Sequence, residues 1–331
     1  MSTSTAPVPS LASRVAWHRP LLWLAAAMAV LTVVALIGLA VDPRVVTGAP
    51  LWAKPLKFSL SVLVYSLTLS WLLGMLRRWR RTSWAIGTIV SVFLAVEMVI
   101  IVGVASTGGT SHFNVSAPFS AALWSVMAVS IVIVWAAGIP VAVLLFRTDL
   151  GDRARSVAIR AGLIIALVGM GLAFLMTGPH GDQISNYRGI IGAHTVGVPD
   201  GGPGLPLLGW STVAGDLRIP HFVGMHALQL LPLLALLLEL AARRIPALRP
   251  PGARLGLVWV GVALSVGVLA LLTGQALAGQ SIVRPDAVVA SIGGALALAA
   301  AVAVAVVLSR SNRAPGPRLD AAISKQLPIR F

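Results

Sequence analysis

Long apolar runs alternate with short polar segments along most of the chain. A helix needs about 20 apolar residues to cross the hydrocarbon core of a bilayer. Eight runs of about this length occur, at roughly 21–41, 56–76, 83–105, 119–146, 161–177, 222–242, 255–279 and 287–309. The pattern predicts an all-α integral membrane protein. We expect a bundle of about eight transmembrane helices in one domain, 21–309, with a long outer loop at 178–221 between spans five and six.

Composition supports a membrane protein and narrows its chemistry. Hydrophobic residues make up 57% of the chain and charged residues 11%, whereas soluble proteins carry about 25% charged residues. The chain has no cysteine, which excludes disulfides, thiolate metal ligands and iron–sulfur clusters. Any bound metal would therefore need histidine or carboxylate ligands.

The basic residues fall mainly on one side of the predicted bundle. Of the 25 lysines and arginines, 19 lie before span one, after span eight or in the loops that follow spans two, four and six. Because basic loops stay in the cytoplasm, we expect both termini inside, with a cytoplasmic leader at 1–20 and a basic tail at 310–331. The net charge of +15 then reflects orientation and affinity for anionic lipid heads, not nucleic-acid binding.

Two lysines stand at the outer end of span two, against the general charge bias. In "LWAKPLKFSLSVLVYSLTLSW", Lys54, Lys57, Ser61, Tyr65 and Thr68 are spaced three or four residues apart and so share one helix face. One interpretation is that the lysines extend to the outer surface beside an aromatic belt. The other is that they face the bundle and meet an anion.

Glu97 is an acidic residue inside predicted span three, on the order of 12 Å from its outer end. A charged group at such a depth costs about 2.5–3.5 kcal/mol and is a candidate for a functional role. A structural pair with Lys57 or a serine is the alternative. Glu239, by contrast, is assigned to a surface ion pair with Arg243, four residues further along.

Five of the six histidines lie on or near the predicted outer face: His112, His180, His194, His221 and His226. Such a set suits a transition metal or haem, since imidazole binds zinc, copper and iron. The alternative is that histidine is simply tolerated in polar loops and at membrane interfaces. The ligand spacing is not tight enough to decide.

Span six opens with an unusually polar segment, "GDLRIPHFVGMHALQ". It carries Asp216, Arg218, His221, His226 and Gln229, whereas a helix that only contacts lipid needs none of them. The glycine- and proline-rich loop before it, 178–221, is longer than ordinary loops. We expect this loop to fold back over the mouth of the bundle and to cover a site there.

Three segments, "WAKPLKFS", "GTSHFN" and "GDLRIPHFVGMHALQLLP", together resemble an uncharacterised family of bacterial polytopic inner-membrane proteins. The resemblance implies a bacterial inner-membrane location. It implies no activity, cofactor or site residue.

These patterns predict an outward-facing polar site built by spans two, three and six. We expect it to bind or transport a small anionic or lipid-like ligand, with Glu97 and His226 coupling the process to protons. The predicted ligand-binding residues are Lys54, Lys57, Glu97, His112, Asp216, Arg218, His221, His226 and Gln229. Alternatives are a metal- or haem-binding redox protein using His112, His180, His194, His221 and His226, an enzyme acting on a lipid-borne substrate, and a purely structural role.

Overall fold

The computed structural model describes residues 16–46, 48–179 and 181–313. Helices in this part of the chain are α1 (Arg19–Val41), α2 (Ala53–Met75), α3 (Arg80–Ser106), α4 (Pro118–Phe146), α5 (Arg153–Gly171), α6 (Phe174–Thr177), α7 (Gly181–Ser185), α8 (Arg218–Ala241), α9 (Pro251–Leu277) and α10 (Ala287–Arg313). Eight of them are long and apolar enough to cross a membrane, with the fifth span running on through α6. The expected all-α fold with eight helices long and apolar enough to cross a membrane is confirmed.

Each apolar run coincides with one long helix, and the largest difference in bounds is in the fifth. Its apolar run predicts a start near residue 161, but α5 begins at Arg153. The arginines of its first turns are held by protein groups: Arg155 pairs with Glu239 at 2.6 Å, and Arg160 donates to the Thr148 carbonyl at 3.0 Å. The assignment of Glu239 to a pair with Arg243 is therefore wrong.

The loops after α1, α3, α6 and α9 meet at one end of the bundle, which we call the long-loop end (42–52, 107–117, 178–217 and 278–286). Short antiparallel strands pair within it, β1 (Val45–Val46) with β2 (Ala49–Pro50) and β3 (Thr195–Val196) with β4 (Gly215–Asp216). Bridges of Asn114 with Ile190 and of Gly204 with Ser211 add to this network. The opposite, arginine-rich end carries the loops 76–79, 147–152 and 242–250. Residues 1–15 and 314–331 of the expected leader and tail lie outside the described residues.

Two large apolar cores hold the helices together. One lies among α1, α2, α3, α4 and α5, with Leu228 of α8, and the other lies among α5, α8 and α9. The closest helix contact is between α5 and α8, where a Cβ built on Gly169 would lie 2.5 Å from the backbone of Gly224. Small residues let membrane helices approach this closely. Such close van der Waals packing matters in lipid, because burial of apolar surface gives no driving force for helix association there. Helix α10 packs against α9 and buries no residue of its own.

A glycine-to-alanine substitution should destabilise the protein at the α5–α8 contact but not at an open position of another helix. Gly169→Ala forces backbone atoms apart, so we expect it to lower the free energy of unfolding by about 1–3 kcal/mol. Gly103→Ala, on α3, meets no atom within 4 Å and should leave stability unchanged or slightly raised by its better helix propensity. Thermal unfolding of the two purified variants measures the difference. Equal melting temperatures would contradict the close packing.

Candidate functional site

A cavity of about 1940 Å³ lies among α2, α3, α4 and α8 beneath the loop 178–217. We call it the long-loop cavity. Most of the predicted site residues line it, namely Lys54, Lys57, Glu97, His112, Arg218, His221 and His226. Asp216 lies behind Arg218, and Gln229 lies behind His226. The structure thus brings the second, third and sixth spans together around one space.

Lys54, His112 and Glu97 form a connected group, which we call the Lys54 cluster. Lys54 Nζ, in the first turn of α2, lies 2.9 Å from His112 Nδ1 in the loop after α3. His112 Nε2 lies 3.9 Å from Glu97 Oε1 on α3. Since a lysine ammonium can only donate, Nδ1 accepts and Nε2 carries the ring proton toward Glu97. The lysine thereby selects the tautomer of the imidazole.

Glu97 has an unused oxygen inside the protein. Its side chain is 2% exposed, and Oε2 has no hydrogen-bond partner in the part of the chain that the structure describes. No ion pair of Glu97 with Lys57 and no hydrogen bond from a serine occurs among those residues, so the alternative of such a structural pair is not found. Buried polar atoms are normally satisfied. This unsatisfied carboxylate oxygen on the cavity wall is therefore a position where a proton, a water molecule or a ligand would be stabilised.

Aromatic rings surround the imidazole of His112. Ring centroids of Phe58, Phe113 and Trp124 lie 5.6, 6.1 and 5.4 Å from it, and Lys54 Nζ is 5.9 Å from the centre of the Phe58 ring. Burial, and then the positive charge of Lys54, lower the pKa of His112 well below its usual value. The imidazole is accordingly neutral near pH 7.

A second histidine is paired with an acid that the sequence analysis did not single out. His194 Nδ1 lies 2.5 Å from Asp200 Oδ2, and Asp200 also accepts hydrogen bonds from the backbone N–H groups of His194 and Thr195. Burial alone would raise the pKa of Asp200, but the bonds from His194 and Thr195 outweigh it and hold that pKa below its usual range. Burial lowers the pKa of His194. Its Nε2 has no partner among the described residues.

The charged residues at the start of α8 hold the loop in place. Arg218 forms a two-pronged ion pair with Asp216, at 2.9 and 2.6 Å, and donates to the Gly209 carbonyl at 2.5 Å. Lys57 Nζ donates to the neighbouring Leu208 carbonyl at 2.8 Å. These two cations therefore attach the loop to α2 and α8. Asp216, buried behind Arg218, acts within this attachment and does not line the cavity.

The histidines of α8 bind protein oxygens on one side of the ring. His221 Nδ1 lies 2.8 Å from the Gly169 carbonyl, and His226 Nδ1 lies 3.2 Å from Gln229 Oε1. A carbonyl can only accept, so His221 donates from Nδ1 and its Nε2 is left without a proton. Within the described ranges no group of three or more histidine, aspartate or glutamate side chains is placed to hold a metal ion. His180 lies outside the described residues.

Comparison with known proteins gives no relative. The chain matches no protein-family model, no curated protein and no solved structure at significant similarity. The fold and the cavity alone define its class, a multi-pass membrane protein with a large cavity under the loops at one end.

The neutral, buried histidines predict a loss of stability in mild acid. In the unfolded chain histidine takes up a proton below about pH 6.5, whereas the lowered pKa values of His112 and His194 mean that the folded protein takes up these protons only at lower pH. The unfolded state then binds more protons, so the free energy of unfolding falls as the pH decreases from about 6.5 toward 5. Melting temperatures measured from pH 8 to 5 should show this fall, with a smaller slope in His112→Gln. An identical slope in the variant would contradict burial of a neutral ring.

Proposed function

We propose that the protein binds or transports an anionic ligand, small or lipid-like, in the long-loop cavity. The observation that carries this proposal is the position of Lys54. Its ammonium faces the cavity, contacts the neutral ring of His112 and forms no ion pair within 4.0 Å in the described part of the chain. A cation without a directly bound carboxylate is a site where an anion gains a charge-assisted hydrogen bond.

The long-loop end of the cavity, which we call the cavity roof, adds to the attraction for an anion. Helix α2 starts there and its N-cap residue makes no side-chain hydrogen bond, whereas at the start of α8 Asp216 accepts a hydrogen bond from the backbone N–H of Arg218. Free N–H groups and the positive end of the helix dipole favour negative charge at such ends. Lys57 and Arg218 also line the roof. The ligand would thus meet positive potential from several directions.

Glu97 supplies a reason for coupling to protons. It stands behind His112, with Oε1 3.9 Å from His112 Nε2, and in its ionised form it would balance the charge of Lys54. An anion bound to Lys54 takes over that balancing role, and two negative charges beside one ammonium repel each other. Ligand binding would then be accompanied by a proton on Glu97. The contacts favour Glu97 and His112 for this role over His226, which contacts Gln229.

The distribution of basic residues supports an outward-facing cavity. The arginine-rich end would lie in the cytoplasm of a bacterial cell, with both termini there, and the long-loop end outside the inner membrane. A ligand would reach the cavity from the outer side or from the outer leaflet. Anionic lipid heads would contact the arginine-rich end.

The proposal predicts a bound anion that depends on Lys54. The protein is extracted from membranes into lipid nanodiscs and analysed by native mass spectrometry. The wild-type protein should carry a bound anionic small molecule or lipid. Lys54→Gln removes one charge-assisted hydrogen bond, so occupancy should fall by about tenfold or more. Lys54→Arg keeps the charge and should retain the ligand.

Arg44→Gln is the matched control for this experiment, because it removes a cation at the same end but outside the cavity lining. It should bind as the wild type does. An unchanged occupancy in Lys54→Gln, or no bound anion on the wild type, would count against the proposal.

A second candidate function is metal or haem binding. The observation that favours it is the orientation of two imidazoles: His194 is held through Nδ1 by Asp200, and His221 through Nδ1 by the Gly169 carbonyl. Metal-ligating histidines are commonly held by such outer groups, which leave the other nitrogen for the metal. Both rings line the cavity.

This second candidate predicts a spectrum or a metal content that depends on His194. Purified wild-type protein should show a Soret band, or stoichiometric copper, iron or zinc, and His194→Ala should lose it. Arg44→Gln again serves as the control and should retain it. A colourless, metal-free wild type would leave the anion site as the working function.

A further inference from the structure

The long-loop cavity is larger and deeper than a small anion requires. Its volume of about 1940 Å³ exceeds the roughly 300–1,000 Å³ of sites that enclose drug-sized molecules. It reaches Tyr65 on α2 and Trp135 on α4. At 1.5 Å per residue, these positions lie roughly 18 and 26 Å along their helices from the long-loop end. The space therefore extends far along these helices.

Apolar side chains dominate the deeper part of the lining. Lys54, His112 and His194 are at the long-loop end, whereas the inner wall is built mainly from apolar side chains of α2, α4 and α8, with Ser61, Tyr65 and His226 as polar groups among them. Leu60, Val129 and Leu230 line this wall and yet expose 45, 57 and 59% of their surface, so no protein group packs over them. Apolar surface of this kind is stabilised by an apolar occupant and not by water.

A small water-soluble anion would pair with the ammonium of Lys54 but would leave the apolar side chains of the inner wall uncovered. An amphiphile satisfies both ends, with its charge at the ammonium and its chain against the aliphatic side chains. The rings of Phe58 and Trp124 stand beside His112, near the level where head and chain would join.

We propose that the ligand of this site is an amphiphile with an anionic head group and one long apolar chain. The head binds Lys54 beside His112, and the chain lies along α2, α4 and α8 as far as Tyr65 and Trp135. This inference rests on the proposed function, because it names the chemical class of the same ligand. The bilayer itself would supply or receive such a molecule.

A photoreactive probe tests the position of the chain. The probe is dodecyl phosphate with a diazirine on its terminal carbon, added to the full-length protein in phosphatidylcholine nanodiscs and activated by light. Labelled peptides are then mapped by mass spectrometry. We expect labelling of α4 within 128–135 and of α8 within 225–230. Excess unlabelled dodecyl phosphate and the Lys54→Gln substitution should each reduce this labelling about tenfold or more.

Helix α10 provides an internal control in the same sample. It buries no residue and exposes apolar side chains such as Leu298, so probe dissolved in lipid should label it equally in all variants. Labelling of α4 and α8 that matches α10 and resists competition would overturn the proposal.

Two tryptophan substitutions on α4 test whether the chain needs the cavity. Ala128→Trp places a large ring in the cavity lining, whereas Ala136→Trp places the same ring on an exposed position of the same helix outside that lining. Labelling of α8 within 225–230 should be lost in the first variant and retained in the second. Equal labelling in both variants would contradict a chain in this space.

Butyl phosphate separates this inference from the proposed function. If butyl and dodecyl phosphate raise the melting temperature of the wild type equally, and neither acts on Lys54→Gln, the anion site stands and the long chain is overturned. If neither compound acts through Lys54, both proposals fail. Stabilisation by dodecyl phosphate alone, lost in Lys54→Gln and in Ala128→Trp, is the result expected for an amphiphile.

Discussion

Polar groups inside a membrane-spanning bundle must find their partners within the protein, because hydrocarbon offers none. Most side chains here obey this constraint locally. Ser91 and Ser130, for example, donate to the carbonyls of Gly87 and Val126 one turn earlier in their own helices. Such bonds need no contact with another helix and cost the bundle little. They leave the inter-helix positions to apolar side chains, which form the two cores.

One group of residues that depart from this local solution lies at the long-loop cavity. Lys54, His112 and Glu97 come from three different elements and satisfy one another only in part, since one oxygen of Glu97 has no partner among the described residues. Replacing buried charged groups of this kind by well-packed apolar side chains is often neutral or stabilising. An arrangement that gives up stability at the rim of a large cavity is typical of a binding site.

The apolar runs were sufficient to predict the eight helices, because run length and helix geometry are both local properties. Helical spacing also placed Lys54, Lys57, Ser61 and Tyr65 on one face, and all four line the cavity. What the sequence left open depends on how the loops fold. Asp200 has no periodic signal, and its role follows from a turn that brings it back to His194. The attachment of the loop by Lys57 and Arg218 depends on backbone carbonyls, which no residue pattern reveals.

Gly169 takes part both in helix packing and in the hydrogen bonding of a histidine that lines the cavity. Its missing side chain lets α8 approach α5, and its carbonyl holds Nδ1 of His221 on the cavity wall. A displacement of α8 along α5 by one residue would carry the ring about 1.5 Å away from this acceptor. The imidazole would then turn to find another oxygen, and its free nitrogen would turn with it. One backbone position would thus couple any displacement between the two helices to the orientation of Nε2 of His221, the ring nitrogen that accepts a proton.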